Sequence, residues 1–161
     1  MMSPRRMSSI RAQLQSLVDR LDRDLPGDYT VDELFAVVER LRGRRIDRLP
    51  LPEVAPAGLC GMWLAYADHD VLFLRNMSDP HDALHELGHI LLDHGQEAPL
   101  VGQLGGLLAQ KDLVAGSAVR GFRGASSYDP PDEYSAELFA TMMRTRVRTR
   151  GPRRDGILKA F

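Results

Sequence analysis

The chain has 161 residues, enough for one domain with a hydrophobic core, and its 43% apolar and 27% charged residues exclude a disordered or fibrous protein. A net charge of −1 singles out no class of partner, and Cys60, the sole cysteine, excludes an internal disulfide and a cysteine metal cluster. No apolar run has the length of a membrane span and residues 1–10 lack the apolar core of a signal peptide, so a cytoplasmic protein without membrane contacts is expected.

Residues 1–8 read as unstructured. Ser9 is a candidate cap for a helix whose stripe is Ile10, Leu14, Leu17, Val18, Leu21 and Leu25, ended by Pro26-Gly27. Thr30-Val31-Asp32-Glu33 reads as a capping box for a second helix, with Leu34, Val37, Val38 and Leu41 facing inward and Gly43 at its end. Residues 44–58 hold Pro50, Pro52 and Pro56 and predict an extended connection. Two strand-like runs follow, 61–67 and 71–74, with Asp68-His69-Asp70 as a hairpin loop. Ser78-Asp79-Pro80 starts a helix that Gly95 should end. Leu100, Val101, Leu104, Leu107 and Leu108 suggest a further helix, weakened by three glycines, and 115–131 reads as an irregular loop. Asp129-Pro130-Pro131 starts the last helix, with Tyr134, Leu138, Met142 and Met143 turned inward. The expected organisation is N-terminal helices (1–48) packing on a core (49–150), then a basic tail (151–161).

Within the third helix lies His85-Glu86-Leu87-Gly88-His89. Residues four apart share a helix face, so the two imidazoles can grip one Zn2+ ion per chain. Glu86 lies beside them, where a carboxylate can take a proton from a water that the metal activates. A catalytic zinc needs a third protein ligand. His94 is excluded on a continuing helix, because it would point about 180° away from His85. His81 shares the face of His85, but 81 to 89 spans about 12 Å of helix axis, too far for one ion, so it reads as a rim residue. Glu133 and Glu137, one turn apart on the last helix, are the better candidates. One would bind the metal and the other would orient a ligand histidine through its second ring nitrogen. Glu133 is favoured as the ligand, and the reverse stays open. Tyr128, Arg120 and Arg123 are candidate donors to an oxyanion.

The pentad with Ile90-Leu91-Leu92-Asp93-His94 behind it, followed by Glu133-Tyr134-Ser135-Ala136-Glu137-Leu138-Phe139-Ala140, resembles the ImmA/IrrE family of bacterial metallopeptidases, and Gly61-Met62-Trp63-Leu64 before the helix resembles its small actinobacterial members. The resemblance covers roughly residues 45–147. It implies an α+β, compact, gluzincin-like zincin domain, mostly helical, with a small antiparallel sheet or hairpin beside the metal helix. It implies His85, His89 and Glu133 as ligands and Glu86 as base. It also implies cleavage of a helix-turn-helix repressor. Ser135, where members often carry Glu, and Thr141-Met142-Met143-Arg144 depart from the family pattern without touching these positions.

The expected function is therefore a zinc-dependent endopeptidase acting on a protein substrate, a DNA-binding repressor. A zinc-containing protein-binding module of a regulatory or toxin–antitoxin-like pair is the alternative. Arginines clustered at 40–48 and 144–154 raise a third reading, direct nucleic-acid binding, against which stands the plainer one of a solvated arginine-rich surface.

Overall fold

The computed structural model describes residues 1–25, 27–53, 55, 61–66, 68–94 and 130–148, and residues 121–124 through their backbone. The first helix, α1 (Pro4–Asp24), starts earlier than its apolar stripe suggests. Ser3, not Ser9, is the cap: its hydroxyl accepts from the Arg6 N–H, and Pro4 fits the first helical position, where its missing N–H is no loss. Residues 4–8 are thus ordered in a helix. Leu14, Val18 and Leu21 are buried, as the stripe requires.

Helix α2 (Val31–Arg42) has both halves of the capping box: the Glu33 N–H donates to Thr30 Oγ1, and the Thr30 N–H donates to the Glu33 carboxylate. Gly43 ends it at φ +64°, a left-handed conformation that suits a residue without Cβ. Its buried face is Leu34, Phe35, Val37 and Val38; Leu41, expected inside, is half exposed. Phe35 is buried, and Arg48 stacks over its ring, 4.4 Å from the centroid.

The sheet is mixed rather than antiparallel. Strands β1 (Arg45–Pro50), β2 (Gly61–Ala65), β3 (His69–Leu74) and β4 (Gly121–Gly124) stand in the order β1-β3-β2-β4. The expected hairpin is β2–β3, antiparallel. Strand β1, lying in the segment read as a connection, runs parallel to β3. Pro50 does not prevent this, because it is the last residue of an edge strand. Strand β4 arises in a stretch read as loop and pairs with β2.

Alternation along β2 and β3 sends Trp63, Leu72 and Leu74 to one face and Met62, Leu64, Val71 and Phe73 to the other. Both faces are buried, which is why these strands read as unbroken apolar runs. Asp70 lies within β3, not in the hairpin loop, and is 1% exposed. It is satisfied there: Arg42, Arg44 and the Trp63 indole N–H all donate to its carboxylate. Burial pushes its pKa up, but the hydrogen bonds from Arg44 and Arg42 outweigh this and hold it below the usual range.

Helix α3 (Pro80–Leu91) is capped by Asp79, which accepts from the His81 N–H, with Pro80 at the start. Helix α4 (Pro130–Arg144) packs along it. The buried face of α4 is Ser135, Ala136, Phe139, Ala140 and Met143, turned from the expected stripe; Tyr134, Leu138 and Met142 flank it. Small residues set this phase. A Cβ on Gly88 would stand 3.1 Å from Phe139 Cδ1 and 3.2 Å from Ala136 Cα, so the glycine lets the two helices close on each other. One hydrophobic cluster joins α1, α2, α3, α4 and the inner sheet face. Among the described residues, no helix is long and apolar enough to cross a membrane.

Candidate metal centre

The close approach of α3 and α4 brings three donor residues together. Nε2 of His89 lies 3.1 Å from Nε2 of His85. The Glu133 carboxylate has one oxygen 3.4 Å from His85 Nε2 and the other 3.3 Å from His89 Nε2. Donors held about 2.0–2.1 Å from a tetrahedral zinc ion stand about 3.3 Å from one another, so the three edges match the spacing of such a site. His85, His89 and Glu133 therefore form a group close enough to hold a metal ion.

The chemistry of the set points the same way. Glu133 Oε1 is buried and has no hydrogen-bond partner, despite its ion-pair distance to His89. Burial pushes the Glu133 pKa up, and the neighbouring Glu137 charge adds to this against the pull of His85. An acceptor stripped of water without a donor is costly unless a cation faces it. Two imidazole nitrogens converge on the same point, His85 Nε2 and His89 Nε2, where a cation can take a lone pair from each.

Each imidazole is backed on its far nitrogen. His85 Nδ1 lies 3.1 Å from Glu137 Oε2, and His81 Nε2 lies 3.1 Å from the same oxygen. Glu137 thus holds the ring of His85 so that Nε2 faces the centre. Partial burial pushes the Glu137 pKa up, but hydrogen bonds from His81 and His85 outweigh it and hold the carboxylate below its usual range. His81, His85 and Glu137 also form a second group of donors within metal-binding reach. His81 sits at the rim, one turn before His85, as its spacing requires.

Glu86 is 2% exposed, and its Oε2 has no hydrogen-bond partner. Burial, with the charges of Glu133 and Asp82, pushes its pKa up to about 8. Gly61, at the start of β2, makes room for it. A Cβ there would fall 2.6 Å from Glu86 Oε1 and 2.7 Å from its Cγ. Sequence reasoning missed this role, although a glycine opening an apolar strand is a known sign of close backbone approach.

His94 is the clearest departure from expectation. Helix α3 ends at Leu91, well before Gly95, and Asp93 adopts φ +51°. The Asp93 N–H donates to the Ile90 carbonyl and the His94 N–H donates to the His89 carbonyl, a Schellman closure with aspartate in the left-handed position. The chain doubles back, and His94 Nδ1 comes 2.8 Å from His89 Nδ1. The direction expected for His94 assumes a continuing helix, whereas the turn at Asp93 brings the side chain behind His89 instead. The tolerance of Asp for the left-handed region was the signal available.

Tyr128, Arg120, Cys60 and the stretches 95–120 and 149–161 lie outside the described residues, and Arg123 is described only as the backbone partner of Trp63 in β4. Compared with known proteins, the chain matches no family model, no curated protein and no solved structure.

Proposed function

We propose that the chain is a zinc-dependent endopeptidase of gluzincin-like fold, related to the ImmA/IrrE metallopeptidases, that hydrolyses a peptide bond in a DNA-binding repressor. The observation that carries the hydrolase reading is the triangle of His85, His89 and Glu133 donors at zinc spacing, with the Glu86 carboxylate on the same helix. Three ligands leave room for water, as catalytic rather than structural zinc requires. The repressor as substrate rests on the family resemblance alone.

Zinc bound there would polarise a peptide carbonyl and bring a water into the pKa range of neutral solution. The chain's own residues do the rest. His85 and His89 would hold the ion, with Glu137 against the far nitrogen of the His85 ring. Glu133 would neutralise part of its charge. Glu86 takes the proton from the attacking water and passes it to the leaving amine. In the metal-free chain burial and the Glu133 and Asp82 charges raise its pKa to about 8, and a cation bound beside it would pull it back down toward the ionised form that a base requires. Burial of Glu86 against Gly61 keeps the carboxylate in one orientation.

The test is Glu86→Gln in the full chain, incubated with purified helix-turn-helix repressors from the neighbouring genes and read by intact-mass spectrometry. Zinc content should remain at one ion per chain while cleavage falls by about 10²–10⁴-fold, the range expected for loss of a general base. Undiminished cleavage by this variant, or loss of its zinc, overturns the assignment.

A further inference from the structure

We infer that His94 and Asp132 are a positioning pair that fixes the ring of His89, so that the loop closing α3 is part of the metal centre's support; this rests on the zinc reading above. His89 is fully buried, and its Nε2 faces His85 and Glu133. Its other nitrogen meets His94 Nδ1 at 2.8 Å. The next contact outward is His94 Nε2 to Asp132 Oδ1 at 3.5 Å. Asp132 precedes Glu133 on α4, so the chain of contacts begins and ends on the helix that supplies the carboxylate ligand.

Proton accounting gives the contacts a direction. A histidine that offers Nε2 to a cation carries its proton on Nδ1. His89 then donates from Nδ1, and His94 must accept at Nδ1. Having accepted there, neutral His94 carries its own proton on Nε2, the nitrogen that faces the Asp132 carboxylate. Asp132 thereby selects the His94 tautomer, and His94 selects that of His89. The reverse tautomer of His89 would set its Nε2 proton against the Glu133–His85 cradle. Glu137 does the same for His85 directly, over 3.1 Å. The two ligand histidines are thus oriented by different devices, one carboxylate and one imidazole–carboxylate relay. The relay exists because Asp93 reverses the chain and returns His94 to the helix it has just left. His94 is therefore a positioning residue and touches no reacting atom.

The experiment compares the full-length wild type with H94A, H94N and D132A. Zinc affinity is measured by competition with a chromophoric chelator, and ring tautomers by ¹⁵N NMR of the zinc-loaded protein. H94A should weaken zinc by about 10–100-fold, the range for outer ligands-of-ligands. H94N should recover most of that, because its amide oxygen can accept the same proton. A merely structural role for His94 would not be rescued in this way, nor would it change the His89 Nδ1–H resonance. D132A should shift the His94 ring resonances and weaken zinc in the same direction; it reads the relay even where H94A does not fold. H94A, or failing it D132A, with wild-type zinc affinity and an unchanged His89 resonance overturns the relay and leaves the zinc site standing. A wild-type chain that takes up no zinc overturns both.

Discussion

The fit between Gly61 and Glu86 makes a prediction whose sign depends on the background. Gly61 is not in the left-handed region, so alanine there carries no backbone strain. By itself the change would stabilise the fold by about 0.4–1 kcal/mol, through loss of unfolded-state freedom. In the wild type, however, the new methyl would lie 2.6 Å from Oε1, 2.7 Å from Cγ and 2.8 Å from Cδ of a side chain that is 2% exposed. The clash begins at Cγ, so a turn of the terminal carboxylate does not relieve it. Overpacking of this kind costs about 1–3 kcal/mol. Truncation in Glu86→Ala removes all three clashing atoms. G61A should therefore destabilise the wild type by about 1–3 kcal/mol yet be neutral or stabilising by up to about 1 kcal/mol in the E86A background. Urea unfolding of the four metal-free proteins measures the cycle without needing a substrate. In the zinc-loaded protein, G61A should leave metal affinity near wild type while hydrolysis falls by about 10²-fold, the effect of displacing a catalytic group by about 1 Å. Equal destabilisation by G61A in both backgrounds would refute the reasoning.

Acid stability tests Asp70: its folded pKa lies below the ordinary aspartate value of 3.8, so its contribution is present above that pH and fades as pH falls through the lower folded value. D70N should be less stable by about 2–3 kcal/mol at pH 7, a figure reduced from the fully buried case because Arg42 and Arg44 are partly solvated. Its stability should also fall less steeply than the wild type's below about pH 4, and parallel pH curves would contradict this. G88A should lose about 1–3 kcal/mol and bind zinc more weakly, because the methyl meets Ala136 backbone at 3.2 Å; a gain of about 1 kcal/mol, normal for Gly→Ala within a helix, would show that the helices do not need the gap. E137Q should reduce zinc affinity by about 10–100-fold as an orienting residue, and E133Q by more; the opposite ranking in a chelator titration would exchange their roles.

The pentad, the capping box at Thr30 and the hairpin could be read from the chain because each is a local pattern: a spacing, a cap or a period. What escaped depends on contacts distant in sequence. Strand β1 was hidden by Pro50 and Pro52, which argue against a strand only when the position is internal to the sheet. The inward face of α4 is only partly legible, because large apolar residues mark Met143 correctly but not the close approach to α3, which Ala136 and Phe139 make at Gly88. The place of His94 cannot be had by continuing the helix, because Asp93, at φ +51°, reverses it. The acidic pair at 133 and 137 could be nominated by spacing, but only the packing of α3 on α4 separates the carboxylate facing both Nε2 atoms from the one facing Nδ1.

The donors sit on two helices far apart in the order of synthesis. His89 is translated 44 positions before Glu133 (133 − 89), with β4 between them. A nascent chain therefore carries a two-imidazole half-site, a weak trap for metal, until α4 has emerged and docked. The three donors meet only once α4 has docked on α3, so the complete triangle is a product of tertiary packing and belongs to neither helix alone.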